Sequence, residues 1–282
     1  MIALLKTECF TYLRGLYRVS TFQALIFDVD GTMADTERDG HRVAFNLAFA
    51  EKGLDWDWTE EIYGDLLSVT GGKERIAFFL SKYQPKQGLD ADSDEQRASI
   101  IADLHAAKTR HYTDLLQKGD IPLRPGILRI ITEARELGLR IAIATTTTPV
   151  NVTALLTATL GKESIDWFEV IAAGDIVPAK KPAGDIYEYA LKEMNLSADN
   201  CIALEDSLNG VRSSLAANIK TVITVNGYTQ DDDFSGAALV LDQLGEVDSP
   251  CKTLSSVDQL VADKVATTGY VDVAVLKSMF AA

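Results

Sequence analysis

The sequence predicts an α/β fold: a doubly wound parallel sheet interrupted by a helical insertion. Three observations predict it. Short apolar runs rich in branched residues recur along the chain, and they are apolar on both faces, as strands of a helix-covered parallel sheet are. Helical patterns with readable ends alternate with these runs from about 122 to 241, the rhythm of a doubly wound domain. Between the first run and the others, from about 36 to 118, only helical patterns occur.

In chain order, MIALLKTECFTYLRGLYRVS carries Lys6, Arg14 and Arg18 against Glu8. It lacks a long apolar stretch and a small-residue cleavage site, so residues 1–20 read as a partly helical extension and not as a secretory leader. ALIFDVD (24–30) reads as the first strand. The insertion follows. TERDGHRVAFNLAFAEKG is helical to Gly53, and KERIAFFLSKY places Ile76, Phe79, Leu80 and Tyr83 on one face. A helix from about 94 to 118 carries Ile101, Leu104, Lys108, His111 and Leu115 along one side. RPGILRIITEARELG is a helix from Pro125 to Gly138 with Ile127, Ile131, Ala134 and Leu137 on its stripe, bounded as the Pro-start, Gly-stop asymmetry expects. Strands are expected in LRIAIAT (139–145), FEVIAAG (168–174), CIALED (201–206) and KTVITV (220–225), with AALVL (237–241) as a further edge strand. The division that results is an α/β core over 21–34 and 119–245, a helical block over 35–118, and a C-terminal extension over 246–282.

A net charge of −14 argues against nucleic acid or an anionic membrane as partner, although a local site can still take a small anion. Cys9, Cys201 and Cys251 are odd in number and widely spaced. They suggest neither a disulfide framework nor a zinc site and point to a reducing compartment. No apolar stretch approaches the roughly 18 residues of a membrane span.

Four strand ends carry chemistry. Asp28 and Asp30 close the first run, at the carboxyl edge where open α/β sheets bind ligands. Two acids there can divide the roles of attack and proton transfer; equally, Asp30-Gly31 is a turn. Thr145, Thr146, Thr147 and Thr148 precede a helix and offer an anion site, an N-cap, or both. Lys180 and Lys181 follow the next strand, as a neutraliser of phosphate-like charge or as solvated loop lysines. Glu205 and Asp206 suit a hard cation such as Mg²⁺ or cap the following helix. Turn chemistry does not require this assortment at one sheet edge. Phosphoryl transfer through a covalent aspartyl intermediate does.

DVDGT, IAIAT, KKP and LEDS, in that order, resemble the four motifs of the haloacid dehalogenase superfamily, over about residues 20–245. The insertion resembles its helical C1-type cap domain, and the implied core is Rossmann-like. DTERDGHRVAFN, TGGKERI, IATTTTP and TVITVNGYT are similar to the CbbY-like branch, which includes phosphatases of xylulose 1,5-bisphosphate; β-phosphoglucomutases are near relatives. The resemblance implies that Asp28 is the nucleophile and Asp30 the acid/base. It implies Mg²⁺ on Asp28, the Asp30 carbonyl and Asp206, with Glu205 in support. It gives Thr145 the phosphoryl group and makes Lys181 the neutraliser paired with Asp28. The presence of Asp30 points to phosphate and not haloacid chemistry.

Substrate contacts are expected from the cap loop, Thr70, Gly71, Gly72, Lys73, Glu74 and Arg75, from Asp35 and His41 near the hinge, and from Thr146 and Thr147. Arg75 is placed at the distal phosphate. The competing readings are a solvated helix start for the loop and a structural role for His41. The implied activity is a Mg²⁺-dependent sugar-phosphate phosphatase acting on xylulose 1,5-bisphosphate or a related sugar (bis)phosphate. Its alternatives are a phosphosugar mutase and a non-catalytic phosphosugar-binding protein. The expected partner is a small phosphosugar, with no nucleic acid and no membrane. The expected form is a monomer in the cytoplasm, or in the plastid stroma of a photosynthetic eukaryote.

Overall fold

The computed structural model describes residues 22–69 and 71–280. The extension read over 1–20, Cys9 and Thr70 of the cap loop lie outside them. Seven strands form one sheet: β1 (Ala24–Phe27), β2 (Arg140–Thr145), β3 (Val170–Ala173), β4 (Cys201–Glu205), β5 (Lys220–Thr224), β6 (Leu239–Leu241) and β7 (Thr253–Ser256). Their spatial order is β3-β2-β1-β4-β5-β6-β7. All pairs are parallel except β6 with β7.

Alternation along the strands sorts the two faces by size. Leu25, Phe27, Ile141, Ile143, Ile202 and Leu204 point to one side. Ala24, Ile26, Ala142, Ala144, Cys201 and Ala203 point to the other, against Ile186, Tyr187, Ala190 and Met194 of helix α7 (Asp185–Met194). Small residues on that face let α7 sit close to the sheet. The bulky face is covered by α5 (Ile127–Glu136) and α6 (Pro149–Leu160). Cys201 is a core residue, its thiol pushed up to about 12 by burial, as expected of a packed and unreactive cysteine.

The insertion holds helices α1 (Arg42–Glu51), α2 (Glu60–Leu66), α3 (Gly72–Tyr83) and α4 (Asp94–Lys118), preceded by a π-helical segment, Thr36–His41. It has its own aromatic core of Phe45, Phe49, Trp56, Trp58, Tyr63 and Phe79; the Phe49 and Trp58 rings meet edge-on at 4.9 Å, a favoured geometry. At about 1.5 Å per residue, α4 is a strut of roughly 38 Å. Its first half, Ile101 and Leu104, packs in the insertion core, and Tyr112 and Leu116 pack in the core of the sheet. The two passages between insertion and sheet are paired to each other: Ala34 bridges Leu123, and the Arg124 N–H donates to the Met33 carbonyl at 2.8 Å.

Three expectations need correction. The strand in 237–241 is not an edge: β6 is flanked by β5 and by antiparallel β7. β7 carries polar, half-exposed residues and so gave no apolar signal. Leu137 is 63% exposed, because it lies past the last turn of α5; Ile130 completes the buried stripe instead. On α4 the buried positions next to Lys108 are Ala107 and Tyr112, while His111 and Leu115 are only half-buried, a shift caused by the helix packing between two cores. After α8 (Leu208–Ala216), residues 246–280 contribute β7, α9 (Gln259–Thr268) and α10 (Val273–Ser278), and Val261, Val265 and Leu276 join the bulky-face core. Among the described residues, no helix is long and apolar enough to cross a membrane.

Candidate active site

β1 has its neighbours on both sides, β2 and β4, and the chain crosses in opposite directions from it, so a crevice opens at its carboxyl end. Asp28 is the first residue past β1, and its N–H donates to the Leu204 carbonyl at 3.0 Å. Thr145 ends β2 and Glu205 ends β4. Asp28, Glu205 and Asp206 are buried, and one oxygen of each carboxylate lies within 4.8 Å of the others. Thr32 Oγ1 lies between Asp28 Oδ2 (3.4 Å) and Asp206 Oδ1 (3.3 Å). Gly31 adopts φ +83°, and a Cβ there would come within 2.1 Å of the Asp206 carboxylate. The turn therefore demands glycine both for its conformation and for its closeness to the acid.

Lys181 enters from the loop before α7. Its Nζ donates at 2.6 Å to Asp28 Oδ1 and at 2.6 Å to Glu205 Oε1. Burial disfavours its ammonium, but Asp28 and Glu205 outweigh that and raise its pKa. Lys180, by contrast, is exposed and pairs with Asp175. Asp206 is held by Asn226, whose Nδ2 donates to Oδ2 at 2.7 Å. Burial, with repulsion from Asp28 and against the pull of Lys181, pushes the Glu205 and Asp206 carboxyls up. An all-oxygen, buried, mutually repelling donor set of this kind fits a hard divalent cation, which would reverse those shifts.

Asp30 accepts from Thr36 Oγ1 at 2.6 Å. Burial is the largest influence on it, and Asp28 and Glu37 add to it against hydrogen bonds from Thr36 and Thr147; the carboxyl is pushed up to about 7. Asp28 and Asp30 are thus two acids in unlike environments, the arrangement that separates a nucleophile from a proton donor. Thr145 is buried and its Oγ1 accepts from the Thr147 N–H at 3.4 Å. Thr147 is half-buried, Thr146 is exposed, and Thr148 caps α6, accepting from the Asn151 N–H at 3.4 Å.

On the insertion, Lys108 lies within electrostatic reach of Asp30, and Arg75 and His41 adjoin it. Lys108, buried on α4, donates to His41 Nδ1 at 2.7 Å. Among the described residues, no carboxylate lies within ion-pair distance of its Nζ. His41 stacks on Tyr112 at 3.9 Å, and burial, with Lys108 and Arg75, holds it well below the usual imidazole range and therefore neutral. Arg75 is braced: its Nε donates to the Val69 carbonyl at 3.0 Å and its Nη1 to Tyr63 Oη at 3.0 Å, with Glu37 at 3.5 Å. Tyr63 in turn donates to Glu37 at 2.5 Å.

The remaining sequence candidates lie apart from these contacts. Asp35 sits between Arg124 (3.3 Å) and Arg38 (3.2 Å), across the two passages. Lys73 and Glu74 are exposed on the first turn of α3. Gly72 faces His105, which a Cβ would approach to 2.5 Å, and Gly71 takes φ +101°. A cavity of about 340 Å³ runs beside the acids, lined by Gly31, Asp35, Glu37, Arg38, Gly64 and Tyr228. Sequence reasoning missed Asn226, Tyr187, Glu37 and Arg124. Arg124 holds the carbonyls of Gly31, Thr224 (2.9 Å) and Val225 (2.5 Å) from a buried position. It also passed over Lys108, although a lysine within an apolar stripe was a readable signal.

A family model described as haloacid dehalogenase-like hydrolase matches residues 22–218. The protein CbbY of Rhodobacter capsulatus is 50% identical over 215 residues, 76% of this chain and 90% of that protein. The plasmid-borne CbbY of Cupriavidus necator is 48% identical over 228 residues, 81% of this chain and 88% of that one. Among solved structures, a mutant CbbY from Rhodobacter sphaeroides in complex with xylulose 1,5-bisphosphate is 45% identical, with a TM-score of 0.67 over 80% of this chain and 96% of that chain.

Proposed function

The chain belongs to the haloacid dehalogenase-like hydrolase family, and from that premise we propose that it is a Mg²⁺-dependent phosphatase of sugar phosphates that acts through an aspartyl-phosphate. The observation that carries the reading is the pairing of Asp28, 2.6 Å from a buried lysine, with an Asp30 carboxyl at about 7. An acid near the working pH can both give and take a proton.

In the proposed reaction an Asp28 oxygen attacks the phosphorus, and the bond to the leaving sugar oxygen breaks as Asp30 gives that oxygen its proton. Asp30 then takes a proton from water, whose oxygen attacks the same phosphorus and frees Asp28 and inorganic phosphate. Lys181 and the N–H groups following β2 at the start of α6 offset charge on the transferring group. Asp28 and Asp206, with the Asp30 carbonyl and support from Glu205, would hold Mg²⁺, which neutralises phosphoryl oxygens when bound. Asn226 fixes the Asp206 rotamer.

A bisphosphate needs a second anion site. Lys108, Arg75 and neutral His41, whose Nε2–H is free to donate once Nδ1 accepts from Lys108, supply donors across from Asp30. The structural neighbour that binds xylulose 1,5-bisphosphate supports that compound, or a close sugar bisphosphate, as the substrate. Incubation with Mg²⁺ and a phosphosugar panel should release inorganic phosphate, most rapidly from xylulose 1,5-bisphosphate. Asp28→Asn should lower turnover by on the order of 10⁴-fold or more. Turnover retained in that variant would refute the nucleophile, and conversion of β-glucose 1-phosphate to its 6-phosphate without release would favour a mutase.

A further inference from the structure

Glu205 is usually counted by its charge, but its contacts assign it a more specific task. Its Oε1 accepts two strong donors, Lys181 Nζ at 2.6 Å and the Tyr187 hydroxyl at 2.5 Å. Its Oε2 is walled in, since a Cβ at Gly210 would come within 1.9 Å of it. Tyr187 is fully buried on α7, and its ring lies 5.3 Å from Lys181 Nζ, within range of a cation–π contact. Lys181 in turn divides its ammonium between Glu205 and Asp28, at 2.6 Å from each.

We propose that Tyr187 is a positioning residue for Lys181, acting through Glu205. The tyrosine hydroxyl takes up part of the acceptor strength of Glu205 Oε1. The ammonium therefore remains shared with Asp28 and directed toward the crevice, where the transferring phosphoryl group lies in the reaction proposed above, on which this inference rests. Without the hydroxyl, the whole demand of Oε1 falls on Lys181 and draws it back from Asp28. The ring holds the lysine from the side, and the Gly210 contact prevents the carboxylate from turning away to relieve the imbalance.

Tyr187→Phe keeps the ring and removes the hydroxyl. Two titrations of the intact protein separate its effects: Mn²⁺ binding by electron paramagnetic resonance without phosphate, and inorganic phosphate binding to the Mg²⁺-loaded protein by calorimetry. Phosphate affinity should fall about 10-fold, the size expected for an outer-shell partner, while Mn²⁺ affinity stays nearly unchanged. In a Lys181→Met background, Tyr187→Phe should add nothing, because the two residues act on one quantity. Circular dichroism checks the fold, and Tyr187→Met, which removes hydroxyl and ring together, should show the same selective loss. Equal losses of Mn²⁺ and phosphate, a full additive loss beside Lys181→Met, or no loss at all would each overturn the inference. Should the wild type bind phosphate yet release none from any phosphosugar, the phosphatase reading fails while this test still gives its answer.

Discussion

The sheet side of the site gathers Asp28, Glu205 and Asp206 about Lys181, with Asp30 next to Asp28, whereas the helical side brings together Lys108, His41 and Arg75, with Glu37 beside Arg75. The first is an excess of buried negative charge that calls for a cation. The second is an excess of buried donors that calls for an anion. They also differ in construction. The acids sit at the ends of adjacent strands, where backbone register alone brings them together. The donors come from a π-helical segment and from α3 and α4, and only the packing of the insertion makes them neighbours. Under the proposed function, phosphoryl chemistry would fall to the sheet side and recognition of the rest of the substrate to the helical side, so that an acidic chain would take an acidic ligand.

Substitutions on the two sides should therefore separate kinetically. The largest effect after loss of Asp28 is expected at Lys181: Lys181→Met removes a preorganised charge aimed at the transferring group, and kcat should fall by roughly 10²- to 10³-fold, with KM changed far less. A larger effect on KM than on kcat would erase the distinction.

On the other side, Lys108→Met should leave kcat nearly intact and raise KM. A hydrogen bond to a charged group contributes about 1.5–3 kcal/mol, or roughly 10- to 100-fold in KM. The loss should be greater for a sugar bisphosphate than for a monophosphate, and equal losses on both would move Lys108 away from the distal phosphate.

The last effect is one of stability and needs no substrate. Burial, with Arg75 adding and Glu37 and Asp30 opposing, pushes Lys108 down to about 8 from an ordinary 10.5. A group whose folded pKa is lowered binds more protons when unfolded, so the folded protein gains stability as pH rises through the interval between the two values. Relative to Lys108→Met, the wild type should gain up to about 3 kcal/mol between about pH 8 and 10.5. Denaturant melts of both proteins across that range measure the difference, and a constant difference would show that the lysine titrates normally.

Much of the sheet was legible because a parallel strand covered on both faces must be apolar throughout, and ALIF, RIAIAT and CIALE have that character. β7 was not legible, since it pairs by backbone alone and shows little apolar side chain. Asp28, Glu205 and Asp206 stood out because charge at the end of an apolar run is conspicuous, and Lys181 because a lysine pair stands before a proline and a helix start. Tyr187 and Asn226 did not, since one looks like core and the other like a turn. Lys108 was visible as an oddity on its helix, but nothing local indicates what a buried ammonium faces.

Local sequence therefore determined the apolar strands, the helix ends and which residue types close each of those strands, because periodicity, capping and turn chemistry act within a few positions. Tertiary structure alone decided the rest. It set the 2.6 Å contacts of Lys181 with both Asp28 and Glu205, the neutral His41 beneath Lys108, the bracing of Arg75 by Tyr63 and Glu37, and the diversion of Asp35 into ion pairs with Arg124 and Arg38. Such pairings and proton affinities depend on burial and on charges tens of residues away in the chain, and only the packed fold brings those within reach.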